Sequence, residues 1–120
     1  MKWKAQCPMV KQKRLPAPIL AALQDLKREL SALYGDRLRG IYLYGSFARG
    51  DFGNDSDVDV LVVLANAVNP WEEIGRMGRV LSEICLRHDV LLSSYPVPDS
   101  WLHERKSPLF QNIRREAVPV

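Results

Sequence analysis

Apolar residues recur at Ile19, Leu23, Leu26, Leu30 and Leu33, in steps of four, three, four and three. This is one stripe of a 3.6-residue helix, and Gly35 stands where such a helix would end. Ile41 to Tyr44 is a short β-branched and aromatic run stopped by Gly45, which predicts a strand. Val58 to Leu64 is apolar at both alternating positions, as in a central strand covered on both faces. Asn69 can cap a second helix, with Pro70 in its first turn and Glu72 and Glu73 at the positive end of its dipole. Ile74, Met77, Leu81, Ile84 and Cys85 form its expected buried stripe. A strand from about Asp89 to Tyr95 follows, ended by Pro96 and Pro98. The tail offers a weak turn near Trp101 and a last helix opened by Ser107 and Pro108, with Leu109 and Ile113 one turn apart. The order helix, strand, strand, helix, strand, helix predicts a small α/β (α+β) domain with the sheet at its centre.

Composition changes this picture only at the N-terminus. A chain of 120 residues with 47% apolar and 26% charged residues has room for one domain and its core. The net charge of +3 suggests a polyanion partner until the charges are placed. Lys2, Lys4, Lys11, Lys13 and Arg14 put five basic residues and no acid in the first fourteen, and the remainder carries a net −2. Residues 1 to 18 therefore read as a flexible basic arm and 19 to 120 as the folded domain, with no direct nucleic-acid binding expected. Two cysteines as far apart as Cys7 and Cys85 build neither a disulfide framework nor a metal knuckle. No apolar run is long enough for a membrane span or a secretory leader, so a cytoplasmic location without membrane association is expected.

The chemistry concentrates between the first two strands. Asp57 and Asp59 are separated by one residue at the edge of an apolar strand, so their carboxylates share a face. Their backbones stand about 6 to 7 Å apart. Two carboxylates about 5 Å apart repel by roughly 3 kcal/mol at an effective dielectric of about 20, so such a pair raises a pKa or recruits a cation. Mg²⁺, a hard ion with oxygen ligands, suits two Asp and a phosphate-bearing substrate. Upstream, Gly45 ends one strand and Ser46 can begin a short helix whose N–H groups and hydroxyl receive an anion, with Arg49 a nearby cation. Competing motifs fail on the letters. Gly50 is followed by Asp51 and Phe52, not by the Lys-Ser/Thr of a P-loop. An EF-hand counted from Asp55 meets Val60 where it needs Gly and Asn66 where it needs Glu. Asp51 and Asp55 read as solvated acids, His88 as a strand-edge residue, Tyr42, Tyr44 and Tyr95 as packing residues, and Arg114 and Arg115 as a solvated helix face.

Gly45-Ser46, ten residues, then Asp57-Val58-Asp59 resembles the signature of the nucleotidyltransferase superfamily related to DNA polymerase β. The wording Gly-Ser-Phe-Ala-Arg-Gly, with Ser-Asp-Val-Asp-Val-Leu-Val-Val, is most similar to its minimal nucleotidyltransferase (MNT) branch. The resemblance implies a small mixed sheet flanked by helices, two Mg²⁺ ions, ATP as nucleotide donor, and a third carboxylate on a later strand facing the first two. Asp89 is the candidate for that carboxylate, as metal ligand with Asp57 and Asp59 and as activator of the attacking hydroxyl. Small MNT proteins are commonly antitoxins that transfer AMP to a tyrosine of a HEPN-domain toxin, so a hetero-oligomer with such a partner is the expected setting. The alternatives are transfer to a small hydroxylated molecule such as an antibiotic, or neutralisation of the partner by binding alone. Length bears on this choice: with the catalytic sheet and its helices placed, acceptor recognition is expected to come largely from outside the chain.

Overall fold

The computed structural model describes residues 15–53 and 56–120. Most of the arm, residues 1 to 14, lies outside the described residues, as does Asp55. Helix α1, Ala17–Tyr34, opens with Pro18 in its first turn and runs into a 3₁₀ turn at Gly35–Arg37. Strand β1, Leu38–Tyr44, leads through a single helical turn α2, Ser46–Arg49, to strand β2, Val58–Leu64. Helix α3, Pro70–His88, strand β3, Leu92–Pro98, helices α4, Asp99–Glu104, and α5, Pro108–Glu116, and a two-residue strand β4, Val118–Pro119, complete the chain.

The sheet is mixed, in the order β3-β2-β1-β4, with β1 antiparallel to β2 and β4 and β2 parallel to β3. Strand β2 is buried along both faces, which is why its sequence is apolar without alternation. Val58, Val60, Val62 and Leu64 pack with Ile41 and Leu43 against α1 and α3. Leu61 and Val63 pack with Val97 against Leu102, Phe110 and Ile113 of α4 and α5. The domain is therefore a sheet between two helical layers. Among the described residues no helix is long and apolar enough to cross a membrane.

Strand β4 is absent from the sequence expectations, and three expected elements differ in detail. Strand β3 begins at Leu92, not Asp89, and runs through Pro96 to Pro98. Pro is tolerated there because β3 is an edge strand, paired only with β2. The expected stripe of α1 ends on Tyr34 rather than Leu33, which is 41% exposed. In α3 the buried residue of the first turns is Glu73, at 3% exposure, while Ile74 faces outward. One interaction explains both shifts. The Tyr34 hydroxyl donates to Glu73 Oε1 at 2.8 Å, and Arg37 pairs with Oε2 at 3.1 Å, so the buried carboxylate has partners on both oxygens. Burial and the Glu73 carboxylate hold the Tyr34 hydroxyl far above the ordinary phenol range.

A second polar clasp joins the middle of α1 to the C-terminal end of α3. Asp25 accepts from Arg87 at 2.9 Å and Arg28 at 2.7 Å and lies 2.7 Å from His88 Nε2. These partners, His88 foremost, lower the Asp25 carboxyl to about 2. His88 thus closes α3 in a structural pair and is not a strand-edge residue.

Candidate active site

The antiparallel register of β1 and β2 pairs Tyr44 with Asp59, so the turn after β1 starts beside the second aspartate. Gly45 adopts φ 78°, ψ −153°, a conformation costly for any residue with a side chain. A Cβ at Gly45 would lie 2.5 Å from Asp59 Oδ2, so this backbone rests directly on the carboxylate. Ser46 then opens α2. The helical turn is closed by Arg49 N–H to Gly45 O at 3.1 Å and Gly50 N–H to Ser46 O at 2.9 Å, with Gly50 left-handed at φ 83°. The first N–H groups of such a turn have no partner within it and are available to an anion.

Asp59 is half-buried and Asp57 exposed. Burial raises the Asp59 carboxyl above its ordinary value, the neighbouring Asp57 charge adds to the rise, and Arg49 opposes it. Tyr44, in the same row, is pushed up to about 12 by burial, with Asp59 and Tyr95 contributing. Arg49 donates to Asp51 at 3.1 Å and to Glu116 at 3.3 Å, which ties α2 to α5. The structure therefore brings together Gly45, Ser46, Arg49, Asp57 and Asp59. Two acids, one just before β2 and one on it, beside a glycine turn, form a donor set of hard oxygens that suits Mg²⁺ carried in with phosphates.

Asp89 is not brought into this group. It caps α3 in the left-handed region, φ 53°, ψ 50°, with its N–H bonded to Cys85 O. The strand expected from Asp89 does not begin there, because the chain is still leaving a helix. Asp89 instead lines a cavity of about 690 Å³ with Pro16, Ile19, Phe47, Val58 and Leu86, on the α1 and α3 side of the sheet. Neither Asp57 nor Asp59 lines that cavity. Among the described residues no three His, Cys, Asp or Glu side chains group to hold a metal. The residue that β3 sets beside Asp59 is Ser93. The parallel register, which no local pattern encodes, sets Ser93 there; Tyr44 and Tyr95, read from the sequence as packing residues, do pack on the core beneath α4 and α5.

Residues 23–110 match the model of the nucleotidyltransferase domain family. The chain belongs to that family. It is 33% identical over 75 residues, 62% of this chain and 75% of the other, to a Methanocaldococcus jannaschii protein that carries the name of a protein adenylyltransferase. Its fold matches a structure described as a minimal nucleotidyltransferase, with TM-score 0.54 and 23% identity over 90% of this chain and 99% of that one. It also matches a chain of the Shewanella oneidensis complex of a tri-AMPylated HEPN toxin with an MNT antitoxin, with TM-score 0.51 and 17% identity over 85% and 70% of the two chains. The family assignment makes this chain a nucleotidyltransferase.

Proposed function

We propose that this nucleotidyltransferase moves AMP from ATP to a tyrosine hydroxyl of a HEPN-domain toxin and so acts as an antitoxin. The observation that carries the reading is the seating of the Gly45-Ser46 turn on the Asp59 carboxylate, which sets a phosphate-binding backbone against the acidic pair. The M. jannaschii relative's name and the tri-AMPylated toxin of the S. oneidensis complex support a protein side chain as acceptor.

In this reading the Ser46 hydroxyl and the first N–H groups of α2 hold the β and γ phosphates, and Asp57 and Asp59 hold Mg²⁺, two ions being the expectation. Mg²⁺, when bound, neutralises charge on the phosphates that react and leave. The acceptor oxygen attacks the α-phosphorus in line, the bond from that phosphorus to the bridging oxygen breaks, and pyrophosphate leaves. The hydroxyl proton passes to a carboxylate of the pair, a role that Asp89 is not placed to take. Arg49, 44% exposed, adds positive charge at the phosphate end. Most of the acceleration is positioning and charge neutralisation, for which a fixed turn and paired acids suffice. Residues 19 to 120 are the catalytic domain in this account, and a cytoplasmic location, where ATP is available, belongs to the same reading. The test is incubation of the chain and its HEPN partner with α-labelled ATP and Mg²⁺. Label on a partner tyrosine supports the reading, whereas label on a small molecule only, or none, overturns it.

A further inference from the structure

Strands β2 and β3 run parallel with Asp59 level with Ser93, Leu61 with Tyr95 and Val63 with Val97. Leu61, Val63 and Val97 all belong to the core beneath α4 and α5, with Tyr95 packed on it, so these paired positions share one face. Ser93 therefore stands beside Asp59 on that face, one strand spacing away, about 4.8 Å. On the other side of Asp59 the level residue is Tyr44. Asp59 is thus flanked by two neutral hydroxyl residues, and no carboxylate on β1 or β3 faces the pair.

Resting on the nucleotidyltransferase reading, we infer that this chain holds its divalent metal through two carboxylates, Asp57 just before β2 and Asp59 on it, with Ser93 at the level of a third. Tight metal binding then comes only together with the triphosphate. Mg²⁺ keeps several waters and is commonly held by one or two carboxylates plus substrate phosphates, and carboxylate count moves divalent-ion affinity by decades. A two-acid site empties when the nucleotide leaves and refills with the next metal–nucleotide complex. Ser93 is exposed, so an aspartate there meets no packing obstacle.

The test uses Mn²⁺ on the full chain, with and without AMP-PNP. Water-proton relaxation is the readout, because it separates protein-bound Mn²⁺ from the free ion and from the small nucleotide complex. Wild type is expected to hold Mn²⁺ only with AMP-PNP. Ser93→Asp, checked for folding by circular dichroism, is expected to bind Mn²⁺ without nucleotide about tenfold or more tighter than wild type. Asp89→Asn is expected to match wild type. Equal Mn²⁺ binding by wild type with and without AMP-PNP overturns the inference, as does a loss in Asp89→Asn or a folded Ser93→Asp with no gain. A different result sinks the nucleotidyltransferase reading itself: Asp57→Asn binding Mn²⁺ and AMP-PNP as wild type does.

Discussion

Replacing Gly45 by alanine tests how closely the turn and the acid depend on each other. The substitution acts twice. A side chain at φ 78°, ψ −153° costs about 1 to 3 kcal/mol in backbone strain. The new Cβ also stands 2.5 Å from Asp59 Oδ2, about 1 Å short of ordinary contact, so the carboxylate rotates away or the turn lifts. A misplacement of about 1 Å at a reacting group costs on the order of a hundredfold in rate. Thermal unfolding should therefore show Gly45→Ala melting lower by roughly 4 to 24 °C, given about 4 to 8 °C per kcal/mol for a domain of this size. Labelled-AMP transfer at a temperature where both proteins are folded should fall about a hundredfold. Gly35→Ala separates the two effects. Gly35 also has positive φ, 57°, but a Cβ there meets nothing within 4 Å, so it should lose stability and keep transfer activity. If Gly45→Ala transferred AMP as fast as Gly35→Ala, the claim that this turn positions Asp59 would be refuted.

Removing a charge that the fold holds against its preference should stabilise. Asp59→Asn is expected to raise the melting temperature near neutral pH, because burial and Asp57 lift the Asp59 carboxyl in the folded state, and to abolish transfer; a variant that melts lower would contradict this. Asp25 gives the opposite sign. Its folded value of about 2 lies below the ordinary 3.8, so its contribution is present above that value and is lost as pH falls toward 2. Urea midpoints followed from pH 5 down to 2 should drop less for Asp25→Asn than for wild type. Tyr34→Phe leaves Glu73 Oε1 without its 2.8 Å donor and should cost about 1.5 to 3 kcal/mol in urea unfolding, with transfer unchanged.

The fold was legible wherever periodicity reports burial. The leucine steps of α1, the unbroken apolar run of β2 and the Asn69-Pro70 start of α3 all correspond to elements in the structure. The failures are places where a polar residue does an apolar residue's work or a turn interrupts a pattern. Glu73 reads as an acid of the helix dipole until Tyr34 and Arg37 are seen on its oxygens. Asp89 reads as the first residue of a strand because nothing local distinguishes a strand start from a left-handed helix cap, a conformation that Asp tolerates. At the site, Gly45, Ser46, Asp57 and Asp59 were singled out by the spacing and the resemblance because they flank one connection. Ser93 was not, since its place beside Asp59 depends on how a strand 34 residues later slides into register.

The central claim is that Asp57 and Asp59, seated against the Gly45-Ser46 turn, transfer AMP to the partner toxin. Intact-mass measurement of the HEPN partner, co-expressed with this chain or with its Asp57→Asn/Asp59→Asn variant, tests it most directly. The account predicts a partner heavier by whole adenylyl groups, mapped to tyrosine, with wild type and an unmodified partner with the variant. An unmodified partner in both cases, with the toxin neutralised in both, would contradict it.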